Sequence, residues 1–393
     1  MANEKPYYRN RPIGSVDALA QCLGVSKQRL LTISENAKNS YSEFSRTSEK
    51  NGVKKERIFN EPKAGLKAIQ KKINKEIFEG INYPDYLHGG LKERDYVTNV
   101  GMHAKAKSII GLDIKNFYPS IRKEYVFEMF KKLFRFPDEV CDVLIKLTLK
   151  NGKVAQGGCC SSYIANLIFF NSEYTKVSRL RSKGYNYTRL LDDITVSSAS
   201  VIKQEQAEKI IVDITGLFTK FKLDVNRDKT KIEQSSDHLA KFEITGLWAA
   251  HGEPKLRKKD RRYVRQLVHI CSKEFKKDPY SKHYHSLWNK TSGKVAVLTR
   301  LQHAQSKSLR ADLAKYLPLY DEEASRKLQR LAFKLCQVPA SETASPSKLK
   351  VYRKLRYHFG IVGRNDKGTA SYWKELLDSK FKAKAELERI ARG

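Results

Sequence analysis

Two adjacent carboxylates, Asp192 and Asp193, interrupt a run that is apolar and β-prone on both sides, TRLLDDITVSS. Tyr187, Leu190 and Leu191 precede the pair and Ile194, Thr195 and Val196 follow it, which predicts two short strands meeting at a tight acidic turn. A third carboxylate, Asp113, closes the apolar run SIIGLD, the pattern of a buried strand that delivers its last side chain to a cleft. Taken alone, a DD pair is an ordinary turn and Asp113 a strand-end residue. Three carboxylates at the ends of apolar strands constrain the chain further. They call for a sheet whose strand ends converge on one site, where hard divalent cations would take oxygen ligands.

The trio suits nucleotidyl transfer with two Mg2+ ions, one activating a 3′-hydroxyl and one holding an incoming triphosphate, because such a site clamps attacking and leaving oxygens together. Neighbouring residues extend the pattern. Asn116, Phe117, Tyr118, Pro119 and Ser120 form an aromatic-rich turn that Pro119 keeps from continuing as a strand. Tyr118 is spaced to lay a rigid ring against a bound sugar and reject a 2′-hydroxyl; its plainer reading is core packing. Gln156 and Gly157 open the small-residue stretch QGGCCSS, which lets backbone approach a nucleotide closely, and Ile164, Ala165, Leu167 and Ile168 then suit a helix packed on the sheet. Lys229, in FKLDVNRDKTKI, is a candidate to offer charge or a proton to a pyrophosphate leaving group, or is one more solvated lysine.

Charge agrees with a polyanionic partner. Lysine and arginine number 76 against 43 acidic residues, a net charge of +33 that is hard to reconcile with a purely small-molecule enzyme. Basic residues interleave with aromatics, as in LRKKDRRYVRQL and KLKVYRKLRYHF, a combination that serves phosphate contact and base stacking. At 393 residues and 40% hydrophobic, the chain can bury a large core in two or three domains. No apolar stretch approaches the roughly 20 residues of a membrane span. MANEKPYYRNRP lacks the apolar core of a secretion signal, and the six cysteines form no C-x-x-C pair, so a cytoplasmic protein with reduced thiols and no zinc site is expected.

From about Ser15 to Leu317 the order of these segments resembles reverse transcriptases, and within them the bacterial retron type. LDIKNFYPSI is similar to the palm motif holding the first catalytic aspartate, and QGGCCSSYIANL to the QGxxxSPxxxNL motif that follows. LLDDITVSS stands where the family usually has Y-A-D-D, and NRDKT where it has its lysine motif. Asn99-Val100-Gly101-Met102-His103 resembles the retron element N-A-x-x-H, and Ile244-Thr245-Gly246 its V-T-G partner, each with one conservative change. Leu190 and Leu191 depart from the usual Tyr-Ala, and Ser162 from the usual Pro. These changes remove a stacking ring near the primer terminus but no metal ligand.

The resemblance implies an α+β right-hand polymerase: fingers and palm made of an antiparallel sheet with packed helices, a helical thumb, and a helical C-terminal extension. Residues 1–45 would be an N-terminal helical segment, 46–110 the fingers, 111–247 the palm, 248–319 the thumb and 320–393 the basic extension. In SVDALAQCLGVSKQRLLTI, Ser15 predicts an N-cap and two short helices flank Gly24; SRTSEKNGVKKE predicts a loop or hairpin. The resemblance further implies RNA-directed DNA synthesis from dNTPs, with Asp113, Asp192 and Asp193 holding two Mg2+ ions. Tyr118 would select deoxyribose, Gln156 and Gly157 would position nucleotide and template, and Arg57, with Lys63, would contact the triphosphate. Asn99, His103, Thr245 and Gly246 would help recognise a structured noncoding RNA serving as template and primer, whose DNA product stays with it. Arg261, Arg262 and Arg265 would meet backbone phosphates. An effector encoded nearby and a role in anti-phage defence follow by analogy. Two other readings stay open on the sequence: another defence-associated or intron-derived reverse transcriptase, and a non-catalytic RNA-binding scaffold using the same basic surface.

Overall fold

A computed structural model describes residues 5–50, 53–237, 240–249 and 252–392. The chain forms two compact units, Met1–Lys255 and Leu256–Gly393. In the first, the apolar run ending at Asp113 becomes the strand Ser108–Asp113, with Ile109, Ile110 and Leu112 at most 3% exposed. It pairs antiparallel with Asp193–Ser198, which pairs in turn with Tyr185–Leu190. Lys231–Gln234 closes one edge and Leu87–His88 the other, giving the order Lys231–Gln234, Ser108–Asp113, Asp193–Ser198, Tyr185–Leu190, Leu87–His88. The edge strand Leu87–His88 runs parallel to its neighbour, so the sheet is not wholly antiparallel as expected.

Strands buried on both faces need covering layers, and helices supply them. Ser161–Leu167 buries Ile164, Ala165 and Leu167, and Gln204–Lys220 buries Ile210, Ile214 and Phe218, all in one core with the sheet. At the N-terminus, Ser15 caps the helix Val16–Cys22 by accepting the Ala18 N–H, and Gly24 at φ +59° turns the chain towards the helix Lys27–Glu35. The polar stretch after it is a long two-stranded ribbon, Tyr41–Lys50 paired with Val53–Pro62. Phe44 and Phe59 stack across the ribbon at 5.6 Å with the Arg46 guanidinium over both rings. The ribbon is tied to the body by Asn60 N–H donating to the Gln156 carbonyl at 2.7 Å and by Lys150 bridging to Glu43 at 2.9 Å.

The second unit is helical. Lys258–Lys277, Lys282–Arg300 and Ser306–Ala314 share a core around Val264, Val268, Val295 and Leu298. Glu322–Cys336, Pro346–Val362 and Lys367–Arg392 share another around Leu349, Tyr352, Phe359 and Phe381. The helices break near PASETASPS and GRNDKG, where Pro, Gly and capping residues interrupt the periodicity.

Candidate active site

The register of the central strands decides the geometry. Asp113 lies directly opposite Asp193 across the Ser108–Asp113 and Asp193–Ser198 pair, while Asp193 faces Leu190 on the other side. Leu191 and Asp192 are therefore the two loop residues of a tight hairpin, and the Asp192 carbonyl accepts the Ile114 N–H at 3.0 Å, sewing the turn to the end of the Asp113 strand. Three carboxylates that are far apart in sequence thus share one sheet end. Leu191 sits at φ +59°, a left-handed conformation that leucine adopts only when its surroundings hold it.

A cavity of 930 Å³ opens over this end, lined among others by Arg57, Asp113, Tyr118, Gln156, Asp192 and Lys229. Asp113 is 8% exposed, and the Lys229 ammonium is 2.6 Å from its Oδ1. Burial first, then the charge of Asp113, raises the Asp192 carboxyl, against the pull of Lys229 and Arg57. Asp193 keeps a solvent-exposed edge, yet withdrawal from water, followed by Asp192 and Asp113, lifts it to about 6. Carboxylates that resist being charged together are poised for a cation. Among the described residues no three His, Cys, Asp or Glu side chains are closed into a metal cage. The donor set nonetheless fits Mg2+: hard oxygens only, adjacent on one sheet end, with an ammonium already seated on Asp113 as a stand-in cation.

The remaining candidates fall into distinct places. Tyr118 is half-buried in the single helical turn Phe117–Ser120, its hydroxyl 3.4 Å from Ser162 Oγ. Gly157 adopts φ +108°, which strains any side chain, and a Cβ there would press on the ribbon at 3.3 Å from the Asn60 carbonyl oxygen. Lys63 turns away from the cavity, its Nζ donating to the Asn39 carbonyl at 3.1 Å. Thr245 and Gly246, at φ +47° and +82°, make the tight turn between Glu243–Ile244 and Leu247–Trp248; they do not line the cavity. Arg261, Arg262 and Arg265 lie on the helix Lys258–Lys277 of the second unit, where Arg265 donates to Gln305 at 2.8 Å.

Asn99 and His103 lie in the interior. Both are 1% exposed, and the His103 ring is held between Ser197 Oγ and Thr188 Oγ1, each at 2.7 Å. Burial, then neighbouring His88, lowers the His103 imidazole to about 3, so it is neutral at ordinary pH. The His103 ring joins the strands Tyr185–Leu190 and Asp193–Ser198, whereas the Asn99 amide, buried on the helix Tyr96–Gly101, makes no side-chain hydrogen bond within the described protein.

Two features escaped the sequence reading. Gly89 and Gly90, both with positive φ, lie against the departures from the family pattern: a Cβ on Gly89 would meet Leu191 Cγ at 2.9 Å, and one on Gly90 would meet Ser162 Cβ at 2.3 Å. Asn166 Nδ2 donates to the Gly89 carbonyl at 2.9 Å. Arg189 is the second feature: its side chain is fully buried and paired with Glu173 at 2.6 Å. The available signal was a charged residue at a buried position of the alternation, three before Asp192; its partner 16 residues upstream gave none.

A strand-end aspartate set opposite an acidic hairpin, with a lysine and a tyrosine in the same cleft, is the arrangement of a nucleotide polymerase class of site. Residues 48–264 match the family described as reverse transcriptase (RNA-dependent DNA polymerase). The chain is 46% identical to the retron Se72 reverse transcriptase of Salmonella heidelberg, over 95% of this chain and 98% of that one. It is 30% identical to the retron Ec48 reverse transcriptase of Escherichia coli, over 80% and 79% of the two chains. A solved telomerase chain from Candida albicans aligns at a TM-score of 0.41 with 10% identity, over 92% of this chain and 67% of that one, too distant to carry any of the reasoning. The chain belongs to the retron reverse transcriptases and is an RNA-directed DNA polymerase of right-hand fold. Among the described residues no helix is long and apolar enough to cross a membrane.

Proposed function

We propose that Asp113, Asp192 and Asp193 hold two Mg2+ ions and that this cleft copies a structured noncoding RNA, acting as template and primer, into DNA. The observation carrying the reading is the register that sets Asp113 opposite Asp193 with Asp192 in the adjoining turn. When bound, the ions would lower the barrier to attack by a 3′- or 2′-hydroxyl and hold the triphosphate of the dNTP. The protein's own residues do the rest. Lys229 supplies positive charge or a proton where pyrophosphate departs, and Arg57, whose field already reaches Asp192, faces the phosphates. The Tyr118 ring would exclude a 2′-hydroxyl, and Gln156 lines the cleft beside Gly157, whose missing side chain lets the ribbon come close.

Residues 46–110 act as fingers, 111–247 as palm and 248–319 as thumb, with Arg261, Arg262 and Arg265 on backbone phosphates. Asn99 and His103 contribute from the buried end of the fingers segment, Thr245 and Gly246 from their strained turn. Residues 320–393 form a basic appendage. The homology to retron enzymes supports a cytoplasmic system with a nearby effector and a role against phage.

The test is Asp192→Asn with Asp193→Asn, which should abolish DNA synthesis and leave RNA binding largely intact. Full activity of that protein overturns the site. Sequencing the DNA made from co-purified RNA then separates the classes: a defined, branched RNA–DNA product supports the retron reading, and long repetitive DNA refutes it in favour of another defence polymerase.

A further inference from the structure

We infer that Arg189 is a positioning residue for DNA synthesis, one guanidinium that fixes the acidic turn and the nucleotide-side helix to a common frame. The inference rests on reading Asp192 and Asp193 as metal-binding. Arg189 is the penultimate residue of the strand Tyr185–Leu190, its side chain fully buried behind the turn. Each of its five N–H donors has an acceptor. Nε and Nη2 clasp Glu173 Oε1 and Oε2 at 2.6 and 2.8 Å, a bidentate pair. Nη1 reaches the carbonyls of Leu191 at 3.2 Å and Ala165 at 3.1 Å, and Nη2 that of Asn166 at 3.0 Å. The Phe169 ring floors the guanidinium at 4.9 Å, and Tyr187 donates to the same Glu173 oxygen at 2.7 Å.

The identity of these acceptors carries the inference. Leu191 is the left-handed residue immediately before Asp192, so a donor on its carbonyl holds the conformation that aims both turn aspartates. Ala165 and Asn166 end the helix Ser161–Leu167, whose carbonyls lack intrahelical partners and whose first turn bears Ser162 beside Tyr118. Asn166 in turn holds the Gly89 carbonyl against the leucines of the turn. A buried ion pair is a weak device for stability, since apolar residues of similar volume often serve as well. A fork that binds three backbone carbonyls from the two halves of a reaction site is a geometric device, and small misplacements there cost rate.

The experiment uses the full chain with an oligo(dT)-primed poly(rA) template and dTTP. Arg189→Lys keeps the charge opposite Glu173 but loses the fork. It should lower kcat by roughly 10- to 100-fold with little change in KM for dTTP, and weaken Mn2+ binding to the metal-free protein, read by electron paramagnetic resonance, by several-fold. RNA affinity should stay near wild type, while the acceptors left without a donor lower the melting temperature. Adding Leu191→Gly, which reaches positive φ without strain, should recover part of kcat, a rescue that a packing role would not give. Wild-type kcat and Mn2+ affinity in a folded Arg189→Lys protein overturn the inference. Should that protein fail to fold, Glu173→Gln decides: reduced kcat and weaker Mn2+ binding in the folded protein support the clasp, and unchanged kcat refutes it. Asp192→Asn with Asp193→Asn, run alongside, tests the metal reading separately, because activity there condemns the site whatever Arg189 does.

Discussion

Replacing Gly90 with alanine tests the packing behind the active-site turn. Gly90 holds φ +69°, which costs an L side chain about 1–2 kcal/mol. The new Cβ would also lie 2.3 Å from Ser162 Cβ and 2.8 Å from its Oγ, where carbon contacts normally settle near 3.5–4.0 Å, so the helix Ser161–Leu167 has to move by about an ångström. Overpacking of this kind costs about 1–3 kcal/mol, for a total of roughly 2–5 kcal/mol. In a unit of this size that lowers the melting temperature by roughly 4–20 °C. Ser162→Gly removes both clashing atoms and leaves the backbone strain, so the double variant should recover about 1–3 kcal/mol relative to the sum of the singles. Gly89→Ala is milder, since its Cβ meets movable leucine side-chain atoms at 2.9–3.2 Å. Because Ser162 Oγ lies 3.4 Å from the Tyr118 hydroxyl, Gly90→Ala should also raise KM for dNTPs. Calorimetry and a double-mutant cycle decide the matter. A Gly90→Ala protein melting within about 2 °C of wild type, or single changes that simply add, refutes the close approach as the cause.

Other expectations follow from buried histidines, basic helices and the cleft lysine. Burial, then Arg94, lowers His88 to about 4, and burial, then His88, lowers His103 to about 3. Both titrate near 6.5 when unfolded, so the unfolded chain takes up protons the fold refuses, and stability present above pH 6.5 is lost as pH falls towards 4. Asp193, raised to about 6, acts in the opposite sense, gaining stability as pH drops from 6 towards 4. The clean readout is therefore a difference: His103→Gln should flatten the acid limb of a urea-unfolding series by about 1.4 kcal/mol per pH unit between pH 6 and 4. Parallel limbs would dismiss a neutral buried His103. Arg261, Arg262 and Arg265 replaced together by glutamine should reduce the slope of log affinity for RNA against log salt by up to about three; an unchanged slope removes them from the phosphate contacts. Lys229→Gln should slow single-nucleotide incorporation by about 100-fold at unchanged RNA affinity, and a wild-type rate would exclude it from the chemistry.

The acidic hairpin, the Asp113 strand, the helix after Gln156 and Gly157 and the Ser15-capped start were legible because each writes its period and its punctuation locally. Apolar flanks on both sides of Asp192 and Asp193 specify strands wherever the partner lies. What the sequence concealed depends on cross-chain proximity. Glu173 and Arg189 look like scattered charges until folding brings them together, and Gly89-Gly90 reads as a loop until Ser162 is seen against it. The burial of His103 was hidden for a related reason. His103, between Met102 and Ala104, carries no local mark of burial, and its hydroxyl partners Ser197 and Thr188 sit on strands 94 and 85 residues away.

The ribbon Tyr41–Lys50 and Val53–Pro62 gives the cleft two unlike walls. A lone two-stranded ribbon is marginal in water, and this one leans on the body through a few polar ties such as Asn60 to Gln156. The opposing floor, anchored in the sheet and its core, is stiff. Changes in the floor should therefore register chiefly in how fast a bond forms, and changes in the ribbon in how firmly a substrate is grasped, a division of labour written into the architecture before any ligand arrives.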